Sequence, residues 1–192
     1  MEQIRSFIAI ELPAEIKLSL GRIQSQLKPG SRAPVKWVDP AIMHLTLKFL
    51  GYVDAGIISK ITAALEEACR GPAPFRLGID GLGVFPSQRR VQVVWIGLTG
   101  ELESLGRLQK SIDAALAPLG FQAESRPFSP HLTLARVREE ATPDERQSLG
   151  QLISGITPDC TGIFNVNAVH LMKSQLTRSG PIYTRLASIK LR

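Results

Sequence analysis

Residues 43–53 read MHLTLKFLGYV and residues 128–138 read FSPHLTLARVR, so the tetrapeptide HLTL occurs twice, 87 positions apart (131 − 44). Alternating polar and apolar residues are the signature of a half-buried strand. Successive side chains in a strand point to opposite faces. His44 and Thr46 therefore share one face, and Leu45 and Leu47 point into a core. His131 and Thr133 repeat the arrangement against Leu132 and Leu134. Each copy sets an imidazole and a hydroxyl about 6.5–7 Å apart along a rigid support. The chain has three histidines, and two of them stand in this one setting.

Around these strands, strand-like and helix-like pieces alternate without a long linker. IRSFIAIEL (4–12) reads as a strand ended by Pro13. The spacing of Ile16, Leu20, Ile23 and Leu27 predicts a helix behind it, and Ile57, Ile61, Ala64, Leu65 and Ala68 predict another over 55–69. FRLGIDGLGVF and VQVVWIGL form two strands about the polar turn PSQRR. Leu102, Leu105, Leu108, Ile112, Ala115 and Leu116 line one face of a third helix, and DERQSLGQLISG is a short fourth. TGIFNVNAVHLMKSQL and PIYTRLASIKL read as a closing hairpin joined by TRSG. The expectation is a single α+β domain over residues 1–192, mainly antiparallel, with two related lobes facing a central groove.

Composition narrows the class of partner. A 192-residue chain can bury a sizeable core, and its mix of hydrophobic and charged residues is that of a globular protein. The net charge of +6 favours an anionic partner such as nucleic acid or a phosphorylated small molecule. Cys69 and Cys160 form no spaced pair, so neither a disulfide framework nor a zinc knuckle is expected. Cys69 falls in a predicted helix and reads as a buried thiol. No signal peptide or bilayer-spanning run is visible, and a cytoplasmic location is expected.

Two imidazoles suit a reaction that needs a base and an acid together. With ordinary pKa values near 6.5, one can be neutral while the other is protonated. Displacement at phosphorus has this requirement: one His deprotonates the attacking water and the other protonates the departing sugar oxygen. Threonine hydroxyls can donate to the non-bridging oxygens, where charge accumulates. There is no H-E-x-x-H, no paired Cys, and no carboxylate adjacent to either His, so no metal constellation is read.

The residues around both motifs carry a family resemblance. VKWVDPAIMHLTLKFLG (35–51) and RPFSPHLTLAR (126–136) resemble the two signature regions of the 2H phosphoesterases, whose motif is H-x-T-x. They are most similar to the LigT-like RNA 2',3'-cyclic phosphodiesterases, formerly called 2'-5' RNA ligases. RSFIAIELP, GLGVFPSQRRVQVVWIGL and SQLTRSGPIYTRLASIKL extend the similarity over nearly the whole chain. The resemblance implies a bilobal fold with pseudo-two-fold symmetry, each lobe giving one motif to the groove. It implies cleavage of RNA terminal 2',3'-cyclic phosphates to 2'-phosphates without metal or nucleotide cofactor, and 2'-5' ligation as a side activity. His44 would be the proton donor and His131 the proton acceptor, with Thr46, Thr133 and Arg136 binding the phosphate. Because the two motifs are identical, the residues themselves leave open which His is acid and which is base.

Strict alternation puts Arg136 on the face opposite His131, so a bulge, twist or strand end must redirect it. Lys48 shares parity with His44 about 13 Å along the strand and is expected at the groove rim. Phe49 shares parity with Leu45 and Leu47 and is expected in the core rather than against a base. His170, with no Thr two positions on, reads as structural. Arg89, Arg90, Arg126, Arg138 and Arg178 are expected as surface cations able to steer RNA phosphates. Two alternatives stay open: a non-catalytic RNA- or nucleotide-binding module on the same fold, and a phosphodiesterase for another substrate such as 2'-5' oligonucleotides. No obligate protein partner is evident.

Overall fold

The computed structural model describes residues 2–158, 162–178 and 180–192. Cys160 lies outside them. The elements run β1 (Gln3–Glu11), α1 (Ala14–Leu27), β2 (Val35–Trp37), β3 (His44–Asp54), α2 (Ile58–Ala68), β4 (Phe75–Phe85), β5 (Val93–Gly100), α3 (Leu102–Leu116), β6 (His131–Val137), α4 (Pro143–Ser154), β7 (Gly162–Val166), β8 (Ala168–Thr177) and β9 (Gly180–Lys190). Among the described residues, four short 3-10 turns lie between these elements.

The strands form two antiparallel sheets, ordered β3-β1-β8-β9 and β2-β6-β5-β4-β7. The α+β architecture with one H-x-T strand in each sheet matches the expectation. The lobes are not successive halves of the chain, however. β8 and β9 join β1 and β3 in the first sheet, whereas β2 crosses to the second. TGIFNVNAVHLMKSQL is correspondingly two strands rather than one. The chain leaves the second sheet at β7, passes through Asn167, and enters the first at β8. Helices interleave as well: α2 and α3 pack together against β9 and β3, while α1 and α4 lie against β7 and β4.

The apolar periodicities are the buried faces. Ile16, Leu20, Ile23 and Leu27 of α1, Ile61 and Leu65 of α2, and Leu105, Leu108, Ile112 and Leu116 of α3 join one continuous core with Leu45, Leu47, Leu132 and Leu134. Leu102, expected on that face, opens the first turn of α3 and stays partly exposed rather than joining the core. Helix α4 starts on a capping box, with Thr142 and Glu145 exchanging hydrogen bonds before Pro143 at N1. Cys69 is buried just after α2, and burial pushes its thiol pKa up to about 11, so it is a packing residue. Among the described residues, no helix is long and apolar enough to cross a membrane.

Candidate active site

Both H-x-T strands carry a bulge at the same place. On β3, Lys48 pairs with Ile8 and Thr46 with Ala9, leaving Leu47 as the extra residue. On β6, Ala135 pairs with Val94 and Thr133 with Trp95, leaving Leu134 extra. A bulge inserts one residue and so reverses the parity beyond it. Up to the bulge, His and Thr face the groove and both leucines are buried in each strand. Past it, the fifth residue after each histidine returns to the groove face. That residue is Arg136 on β6 and Phe49 on β3.

Two sequence expectations are corrected here. Phe49 is not in the core; its ring is 60% exposed and stands 6.4 Å from that of Phe7 on the groove face. Lys48 is not at the rim. It is 3% exposed, and its ammonium contacts Asp113 Oδ1 at 2.5 Å and donates to the Gln122 carbonyl at 2.7 Å. Both errors follow from carrying strict alternation across Leu47. The redirection anticipated for Arg136 is present, at Leu134.

Each bulge is held from behind by a buried polar side chain. Gln24 of α1, 1% exposed, donates through Nε2 to the Leu134 carbonyl at 2.9 Å and the Val38 carbonyl at 2.7 Å. The Val38 N–H donates to the same Leu134 oxygen at 2.9 Å. Behind β3, the Lys48 ammonium ties the strand to α3 through Asp113, whose other oxygen accepts from Gln109 at 2.7 Å. Burying these groups is tolerable because their polar atoms are paired.

The histidines are oriented alike. His44 Nδ1–H donates to the Ile42 carbonyl at 3.0 Å, and His131 Nδ1–H donates to the Ser129 carbonyl at 2.7 Å. A carbonyl can only accept, so each bond fixes the proton on Nδ1 and leaves the lone pair of a neutral ring on Nε2. Aromatic rings flank both. Phe7 stacks on His44 at 4.7 Å and Tyr183 meets it edge-on at 5.0 Å. Phe85 meets His131 edge-on at 5.0 Å, and Trp95 stands 6.2 Å away. Trp95 requires glycine opposite it, since a Cβ at Gly83 would come within 2.1 Å of the indole. Sequence reading did not single out these four aromatics. Their strand parity was readable, but nothing in it separates an aromatic facing a groove from one facing a core.

Burial holds the His44 pKa below its usual value, with the charge of Lys17 acting in the same direction. The bond to Ile42 and the charge of Glu11 oppose this. Burial raises the Tyr183 pKa, while the charges of Arg5 and Arg136 pull it down. Arg136, from the second sheet, thus acts electrostatically on the tyrosine beside His44 in the first. His170 is buried on the groove face, across Ala9 from Thr46, and its Nδ1 finds no partner among the described residues. Burial lowers its pKa, and the charges of Glu11 and Arg185, themselves ion-paired, act on it in opposite directions. Arg89, Arg90, Arg126, Arg138 and Arg178 are exposed and enter none of the ion pairs among the described residues. Also among the described residues, no three His, Cys, Asp or Glu side chains converge as a metal site would require.

The sequence model of the LigT like Phosphoesterase family matches twice, over residues 10–95 and 96–183. Each match contains one H-x-T motif. This chain belongs to that family. Its relatives include the RNA 2',3'-cyclic phosphodiesterase of Methanothermobacter thermautotrophicus, 38% identical over 189 residues, covering 98% of this chain and 100% of the relative. The enzyme of the same name from Aquifex aeolicus is 31% identical over 185 residues, covering 96% and 95%. Among solved structures, E. coli LigT complexed with 3'-AMP superposes with a TM-score of 0.78 at 29% identity, covering 99% of each chain. The bilobal fold and the family expected from the two motifs are those found.

Proposed function

We infer that this LigT-like chain is a hydrolase that opens terminal 2',3'-cyclic phosphates on RNA, leaving a 2'-phosphate. The observation that carries this reading is the matched pair of imidazoles, each with Nδ1 tied to a carbonyl and Nε2 free for proton transfer. The name shared by its relatives supports the substrate. Binding alone would not need two such groups, which disfavours the non-catalytic module.

In the reaction, His131 Nε2 takes a proton from water as the water oxygen bonds to phosphorus. The P–O3' bond breaks, and protonated His44 gives its Nε2 proton to O3'. The 2'-ester survives as a 2'-phosphate. Thr46, Thr133 and Arg136 donate to the non-bridging oxygens, where negative charge grows. Burial makes the His44 imidazolium a stronger acid, and the bound anionic phosphate restores its hold on the proton until transfer. No step needs a metal. A 5'-hydroxyl replacing water would give a 2'-5' linkage, the side reaction. Phe49, exposed beside the buried Phe7, offers a ring face to the terminal base.

The test is product identity. A short RNA ending in a 2',3'-cyclic phosphate is incubated with the protein and its terminus is determined. A 2'-phosphate is expected, whereas a 3'-phosphate would overturn the proton assignment, because the P–O2' bond would then have broken.

A further inference from the structure

Arg136 does not stand alone on the groove face. Lys36 on β2 is its direct cross-strand partner. The flanking Val35 and Trp37 pack on the core, so Lys36 shares the face of Arg136. Both cations are exposed, and neither has a carboxylate partner or a side-chain hydrogen bond among the described residues. On the other side of Arg136 stands Val93 of β5, which offers no charge. Like charges directly opposite one another in a sheet are unfavourable, so an unneutralised pair at a groove marks an anion seat.

The chemistry of the substrate says which anion. This inference rests on the reading that the site opens a cyclic phosphate. A cyclic 3'-end closes the chain in that direction, so every further phosphate lies on the 5' side. Thr46, Thr133 and Arg136 already serve the reacting phosphate. We propose that Lys36, beside Arg136, is a second phosphate subsite, taking the internucleotide phosphodiester on the 5' side of the terminal nucleotide. The groove would then favour an RNA chain over a free cyclic mononucleotide. A lysine on an edge strand also deters edge-to-edge pairing, but that role would not respond to the charge of a substrate linkage.

The experiment uses two dinucleotides ending in a 2'-phosphate, one with a natural phosphodiester linkage and one with an uncharged methylphosphonate. Affinities for the full chain are measured by calorimetry. The wild type should bind the phosphodiester about two- to fivefold more tightly, the scale of an exposed charge contact. Lys36→Gln should bring that ratio close to one, and Lys36→Arg should keep it. The ratio is internal to each variant, so a general loss of folded protein affects both ligands alike. A wild-type ratio near one, or a ratio unchanged in Lys36→Gln, overturns the subsite. Ring-opening turnover, measured in parallel, tests the reading beneath it. Turnover with an unchanged ratio removes the subsite alone, whereas absent turnover removes the hydrolase reading while the ratio still decides the subsite.

Discussion

Phe49 occupies on β3 the place that Arg136 occupies on β6. Each is five residues past its histidine, and each is returned to the groove by a bulge immediately after the threonine. The pseudo-symmetric frame thus sets a guanidinium beyond one imidazole and an aromatic face beyond the other. A cation serves phosphate and a ring serves a base, so the asymmetry suits a nucleotide lying across the groove. Because Phe49 is largely exposed, Phe49→Ala should cost under about 1 kcal/mol of stability. It should raise KM for a cyclic-phosphate RNA about tenfold, the scale of one lost base–aromatic stack. Steady-state kinetics on Ala and Trp variants would check this, with Trp retaining the wild-type KM.

The Lys48–Asp113 pair anchors the β3 bulge and is nearly dry on the lysine side. Removing one member strands a buried charge. Asp113→Ala should therefore cost about 3–5 kcal/mol in urea unfolding. Replacing both groups, as Lys48→Met with Asp113→Leu, should recover most of that loss. Equal losses in the single and double variants would deny the pairing.

Gln24 is the corresponding anchor on the other side. Gln24→Leu removes two hydrogen bonds from the carbonyls around the β6 bulge, and should cost about 1–3 kcal/mol. It should also lower kcat/KM, because Thr133 and Arg136 flank that bulge. Full activity in a destabilised Gln24→Leu variant would show that the bulge is held by the sheet alone.

The lowered pKa values of His44 and His170 fix the direction of an acid effect. Between the ordinary pKa of about 6.5 and the lower folded values, the unfolded chain binds protons that the folded chain refuses. Stability is therefore fully present above about pH 6.5 and falls as the pH drops below it. Tm should decline from pH 7 towards pH 5.5, and His170→Gln should flatten the decline. In kinetics, a His44 donor must be protonated, so the alkaline limb of kcat/KM should have its midpoint below about pH 6.5. A flat profile from about pH 5 to 9 would contradict acid–base catalysis by these rings.

The strand periodicity was sufficient to pair His44 with Thr46 and His131 with Thr133, because both lie before their bulges. Arg136 lies beyond one, and its family role required a redirection that the structure supplies. The same requirement holds for Phe49, since the tetrapeptides are identical, yet alternation taken alone sends Phe49 inward and Lys48 outward. A bulge is set by the partner strand and by what lies behind it, here Ile8 and Ala9 in front and Asp113 sixty-five residues on. Neither is visible in HLTLKF read by itself. For similar reasons the β7 to β8 passage at Asn167 reads as one apolar run, although the chain changes sheets there.

In the proposed mechanism His44 and His131 are the acid and base of one metal-independent ring opening. The most direct measurement is single-turnover hydrolysis of a dinucleotide 2',3'-cyclic phosphate with a chelator present, comparing the wild type with His44→Ala and His131→Ala. Chelator should leave the wild-type rate intact, and each substitution alone should lower it by about 10²–10⁴-fold. Loss of turnover on chelation, or full activity in either single variant, would contradict it.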